Sequence, residues 1–158
     1  MTYKEYREKK QVEFNALPIF FAFSNDQFKR EMEKRGLTEN DTDKVYRWGN
    51  GTYYLRKDAD KIREFVLTNE KDNELNELMK IPDFAISAFE FEMENHEYAI
   101  NLQGDFDVCN IFCDREPEYD DMKDYANYLM EDGHSDWIPF YEQAREIYFR
   151  KAEKYGWG

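Results

Sequence analysis

The sequence predicts an α+β fold, mostly α-helical, with five or six helices and a short strand or hairpin in a single compact domain over residues 1–158. Three observations carry that expectation. Capping boxes and apolar residues at helical spacing recur along the chain. The turn Gly49-Asn50-Gly51 leads into Thr52-Tyr53-Tyr54-Leu55, a β-prone run. Thirteen Phe, twelve Tyr and three Trp supply large buried area to a chain in which 36% of residues are charged.

The elements follow in order. Thr2 and Glu5 match a capping box, opening a helix over residues 3–15 that Pro18 stops. Ile19 to Phe23 is a fully apolar run expected to be buried, as a strand or a core turn. Ser24 and Gln27 open a second helix, carrying Phe28 and Met32, and Gly36 is placed to end it. Thr38 is read as the cap of another short helix through Val45, Tyr46 and Trp48. After the glycine turn and the strand, Asp58 starts a helix with Ile62, Phe65 and Val66 on one side. Phe89, Phe91 and Met93 alternate as in a strand, yet Phe84, Ala85, Ala88, Phe89 and Met93 fit a helix with Pro82 and Asp83 in its first turn. The helix is favoured. Tyr119, Met122, Ala126 and Leu129 predict a short helix stopped by Gly133. Ile138, Tyr141, Ala144, Tyr148, Ala152 and Tyr155 mark a final helix that ends at Gly156.

Charge is unevenly spread. Residues 1–82 hold sixteen basic and sixteen acidic side chains, so the chain's net −13 arises wholly in 83–158. Between Asp83 and Asp136, sixteen Asp or Glu face only Arg115 and Lys123. Such a field repels nucleic-acid phosphates and anionic membrane surfaces and favours basic protein partners. No run is long and apolar enough to span a bilayer, and the charged N-terminus lacks a signal-peptide core. Two cysteines four positions apart suit reduced thiols, so the expected compartment is the cytosol.

Several phrases stand together: EFNALPIFFAFS, RWGNGTYYLRKDA, FEMENHEYAINLQGDFDVC and a closing KYGWG. As a set they resemble an uncharacterised family of small acidic proteins carried by bacteriophages and prophages. The resemblance implies a setting rather than an activity. Accessory proteins of that setting often inhibit host defence machinery by binding alone.

Each candidate site has a plainer structural role beside its chemical one. Cys109, Cys113, His96 and His134 make a Cys2His2 inventory for a tetrahedral metal, but their spacing is unspecific and a buried cysteine is the simpler reading. His96 beside Glu97, with Asp105 and Asp107 nearby, suits a metal-dependent enzyme or a general base. His134-Ser135-Asp136 has the composition of a triad, but consecutive residues do not converge, and Ser135 suits the cap of the final helix. Residues 26–48 read as a helix–turn–helix with Lys29, Arg30, Lys34, Arg35, Lys44 and Arg47 for phosphates, diluted by six acidic residues. The favoured reading is non-enzymatic and without a cofactor: an acidic surface that binds a protein with a basic groove, as an anti-CRISPR-type nucleic-acid mimic would. Glu116, Glu118, Asp120, Asp121, Asp124, Glu131, Asp132 and Asp136 supply the carboxylates, and Tyr119, Tyr125 and Tyr128 the contact area. Exposed tyrosines suit a homodimer face equally well.

Overall fold

The computed structural model of the chain describes residues 1–70, 73–115, 118 and 124–157. Among these are eight α-helices and a three-stranded antiparallel sheet, the mostly helical α+β architecture that the sequence predicts. Internal contacts divide the chain into two compact units, residues 1–9 with 73–158 and residues 10–72, so the boundary falls within the first helix.

Helix α1 (Tyr3–Asn15) opens on the expected capping box: the Thr2 N–H donates to Glu5 Oε2 at 2.7 Å and the Glu5 N–H donates to Thr2 Oγ1 at 3.2 Å. The larger unit continues with α4 (Asn73–Leu78), α5 (Pro82–Asn95), α6 (Gly104–Phe112), α7 (Tyr125–Glu131) and α8 (Ile138–Tyr155). Helix α5 packs most extensively on α8. Ala85 and Ala88 on one helix and Ala144 and Ala152 on the other are small enough to let the backbones approach, while Phe89, Met93, Tyr141 and Tyr148 fill the space between. Phe89 meets Phe112, Trp137 and Tyr141 edge to face at 5.1–6.0 Å. The alternating Phe-Glu run of residues 89–94 is therefore helical. Burial of residues 84, 85, 88, 89, 92 and 93 follows the helix period, which also carries Glu92 into the core.

The smaller unit holds α2 (Asn25–Lys34), α3 (Ala59–Glu70) and the strands β1 (Ile19–Phe21), β2 (Val45–Arg47) and β3 (Thr52–Leu55), in the order β1-β3-β2. Ser24 accepts from the Gln27 N–H at 3.2 Å and caps α2, and the Leu37 N–H returns to Met32 O past Gly36. Gly49 and Gly51 take positive φ of 79° and 71° in the hairpin loop, where Trp48 N–H bonds Thr52 O at 2.7 Å.

The structure departs from two of the sequence expectations. The apolar run 19–23 is only half buried: Phe20 and Ala22 point inward while Phe21 and Phe23 are exposed, because an edge strand turns alternate residues to opposite faces. Residues 38–48 do not form a helix. Thr42–Lys44 is a 3-10 turn and Val45–Arg47 is β2. The Asp41 carboxylate accepts from both the Thr38 N–H and hydroxyl, closing a turn before any helix can start. β-branched Val45 and aromatic Tyr46 then pair with β3. The helix–turn–helix read over residues 26–48 thus lacks its second helix.

Candidate functional site

Helix α6 carries Asp105 and Asp107 in its first turn, and Asp105 joins Tyr98, Tyr141 and Arg145 in a polar cluster. Asp105 Oδ1 accepts hydroxyl protons from Tyr98 and, at 2.7 Å, from Tyr141. Arg145 Nε donates to the Tyr98 oxygen at 2.7 Å and lies 3.7 Å from Asp105 Oδ1, with its guanidinium 5.3 Å from the Tyr125 ring centre. Burial, reinforced by the Asp105 carboxylate, raises the Tyr98 hydroxyl above its ordinary range, and burial does the same to Tyr141. These phenols remain protonated donors at neutral pH. Asp107 accepts from Asn101 Nδ2 at 2.8 Å, so both carboxylates are occupied by protein donors.

Glu92 forms a second cluster. Its Oε1 accepts from Tyr3 Oη at 2.8 Å and Arg7 Nη1 at 3.1 Å, and its Oε2 from Asn95 Nδ2 at 3.2 Å. His96 closes α5. Its Nδ1 lies 2.9 Å from the Glu92 carbonyl oxygen, which can only accept, so the ring carries its proton on Nδ1. Glu97 follows with a positive φ of 50° and an exposed side chain. The enzyme-like set His96, Glu97, Asp105 and Asp107 is thus divided between a helix end, an exposed turn and the tyrosine cluster.

The cysteines sit at the C-terminal end of α6, both free. Cys109 is fully buried and touches the Tyr141 hydroxyl; burial raises its thiol far above the usual range. Burial, then the Asp132 carboxylate, pushes Cys113 up to about 12. A thiol so raised supplies almost no thiolate at neutral pH, which is the form needed by a nucleophile. His134 stacks on Trp137 at 3.5 Å with its Nε2 3.4 Å from Asp132 Oδ2. Among the described residues no group of three or more His, Cys, Asp or Glu is placed to hold a metal, so Cys109, Cys113, His96 and His134 do not assemble into a tetrahedral set. Ser135 makes no cap bond; it begins a 3-10 turn, Ser135–Trp137, that runs directly into α8.

The proposed contact array divides by role. Glu116, Tyr119, Asp120 and Asp121 lie outside the described residues. Asp124 caps α7, accepting from the Asn127 N–H at 3.0 Å. The Asp132 side chain, 5% exposed, accepts from the Asp114 and Arg115 N–H groups at 3.3 and 2.9 Å. Tyr128 is a core residue: it is 1% exposed and donates to Arg115 O at 2.6 Å, so it offers no surface contact. Tyr125 is half-buried against Tyr141, with ring centres 4.7 Å apart. These bonds hold residues 114–115 against α7. Exposed around them are Asp114, Glu118, Asp124, Glu131 and Asp136, with Glu131 paired to Arg115 at 3.3 Å.

Glu92, Tyr3, Arg7, Tyr98, Tyr141 and Arg145 escaped the reading of the sequence as polar-site residues. Glu92 alone left a trace there, since a helix that buries Phe89 and Met93 must also bury position 92.

The fold and surface define an α+β protein with one neutral and one strongly acidic unit. Residues 10–72 balance twelve basic against twelve acidic side chains, which leaves the net −13 to the larger unit. Residues 2–107 match the family model of DUF7659, a family of unknown function, and the chain belongs to that family. No curated protein and no solved structure matches it. Among the described residues no helix is long and apolar enough to cross a membrane.

Proposed function

We propose that this protein is a non-enzymatic binding protein that engages a basic protein surface through its acidic unit. In the favoured form it is a phage or prophage accessory protein acting in the host cytosol, where it occupies the nucleic-acid groove of a defence enzyme. The observation that carries this reading is the fold-back of residues 114–115 onto α7. It holds Asp114 against α7 through Asp132, and Asp124, Glu131 and Asp136 are likewise exposed on α7 and the turns that flank it. A held array of carboxylates attracts Lys and Arg at long range, and its attraction fades as the screening length shortens with salt. The phenols and thiols of the neighbouring clusters are fixed in their protonated forms, which suits a scaffold more than a reacting centre.

In the test Glu118, Asp120, Asp121 and Asp136 are reversed to lysine together, leaving intact Asp124 and Asp132, which accept from backbone N–H groups. Tagged wild type and variant are used to capture partners from the lysate of a phage-susceptible host at low and moderate salt. The expected result is one nucleic-acid-handling protein held by wild type at low salt, released as salt rises and absent with the variant. Retention by a folded variant would defeat the proposal.

A further inference from the structure

The smaller unit carries a feature of opposite sign. Arg35 at the end of α2, Lys44 at the end of the 3-10 turn, and Arg56 and Lys57 just after β3 line one cleft of about 430 Å³. Leu37 and Leu55 form its apolar walls, and Asp43 is the sole carboxylate among the lining residues. Four cations against one anion stand out in a unit whose total charge is zero.

Two of the cations are pre-positioned. The Arg56 guanidinium lies 4.8 Å from the Tyr46 ring centre and that of Arg35 lies 4.0 Å from the Phe20 ring centre. Stacking holds a guanidinium plane while leaving its edge N–H groups free for an oxyanion, the geometry that favours bidentate phosphate binding. Arg35 spends one nitrogen, Nη1, on Glu31. Arg56 and Lys57 form no ion pair among the described residues. The cleft has the size of a small-molecule site, and its leucine walls suit a carbon skeleton behind the anionic group.

We propose that this cleft binds a phosphate monoester of mononucleotide size, its phosphate held by Arg56 and Lys57 with Arg35 and Lys44 at the edge and its organic part against Leu37 and Leu55. The site is independent of the acidic unit's proposed role.

The full chain, labelled with ¹⁵N, is titrated with adenosine 5′-monophosphate, with inorganic phosphate and with adenosine. The monophosphate is expected to give saturable shifts at the amides of residues 37, 44 and 55–57, to bind more tightly than inorganic phosphate, and to outcompete uncharged adenosine entirely. The double substitution Arg56→Gln, Lys57→Gln should weaken binding about tenfold or more with the remaining spectrum unchanged. Substitution of two basic residues outside the cleft, Lys29→Gln and Lys61→Gln, should leave it intact. Absence of saturable shifts up to about 10 mM monophosphate would overturn the site. Equal weakening by both pairs would also overturn it, by revealing diffuse attraction, and inorganic phosphate binding as tightly as the ester would overturn the assignment of the ligand.

Discussion

Truncation of Asp105 to alanine removes the acceptor on which two buried tyrosines depend. Tyr141 has no exposure, and without Asp105 its hydroxyl is left beside the Cys109 thiol, a weak acceptor. A buried hydroxyl stranded in this way costs about 1–3 kcal/mol. Tyr98 keeps its bond from Arg145 but loses its own acceptor, which adds on the order of 1 kcal/mol. The ion pair with Arg145 contributes little. At 3.7 Å, with the side chains 35% and 31% exposed, it falls in the class of partly solvated pairs that contribute about 0–1 kcal/mol. The total is about 3 kcal/mol, which for a chain of this length lowers Tm by roughly 6–12 °C. Asparagine keeps an oxygen for both hydroxyls and surrenders only the charge, so its cost is about 1 kcal/mol. Thermal melts and urea unfolding, followed by the near-ultraviolet dichroism of the tyrosines, measure both variants. An alanine variant melting within about 2 °C of wild type would refute the reasoning. So would an asparagine variant as damaged as the alanine one, because the acceptor geometry would then not be what matters.

Three further outcomes follow from the same clusters. Tyr3, Tyr98, Tyr128 and Tyr141 have hydroxyls raised above the ordinary tyrosine range, chiefly by burial. Above pH about 10 the folded chain therefore holds more protons than the unfolded one; the stability these groups contribute is complete below that pH and lost as pH rises. Absorbance at 295 nm should show only the more exposed of the twelve tyrosines titrating before a cooperative alkaline unfolding; smooth titration of all twelve with unchanged dichroism would contradict this. With Cys113 at about 12, its thiolate fraction at pH 8 lies on the order of a thousandfold below that of a free cysteine. Its reaction with a disulfide reagent should be slow when native and ordinary in urea, and equal rates would be evidence against the burial argument. Gly104→Ala places a methyl 2.5 Å from Tyr98 Cδ2, on a ring held by Asp105 and Arg145 and flanked by Tyr148 and Phe149. It should cost about 1–3 kcal/mol. Combined with Asp105→Ala it should cost less than the sum, because the released ring can move; strict additivity would refute the coupling.

Local elements were largely legible because their signals are local. The Thr2/Glu5 box, Ser24 as a cap, Gly36 beyond α2 and Gly156 beyond α8 each act within a few residues, and each stands where it was read. Residues 38–48 mislead because the cap-like threonine and the helical spacing are local signals, whereas the strand's pairing partner is not. Val45–Arg47 becomes a strand through β3, which lies beyond the glycine turn. The clusters were illegible for the same reason at longer range. Tyr98, Asp105, Tyr141 and Arg145 meet only because α6 and α8 pack in one unit, and Tyr3 reaches Glu92 across 89 positions. No spacing rule joins residues so far apart. The enzyme-like adjacency of His96 and Glu97, by contrast, was plain in sequence and misleading in space, since one side chain folds back onto α5 and the other faces solvent.

The acidic half contains two populations of carboxylates that a count of charges merges. Glu92, Asp105, Asp107, Asp124 and Asp132 accept hydrogen bonds from tyrosines, amides or backbone N–H groups of the protein itself. A partner's lysine would have to displace those donors or share them, so part of its attraction would be spent against the fold. Asp114 and Asp136 accept no such bonds among the described residues and keep their carboxylates in water. Their attraction for a cation is weaker per contact in high dielectric, but it costs the fold nothing. Reversal of Asp132 would therefore loosen the backbone of residues 114–115 on α7 and could abolish binding by that route alone. Reversal of Asp136 changes the surface field and leaves those bonds in place. Binding lost with Asp136 reversed and Tm unchanged speaks to the acidic surface; binding lost only together with Tm speaks to the fold that holds it.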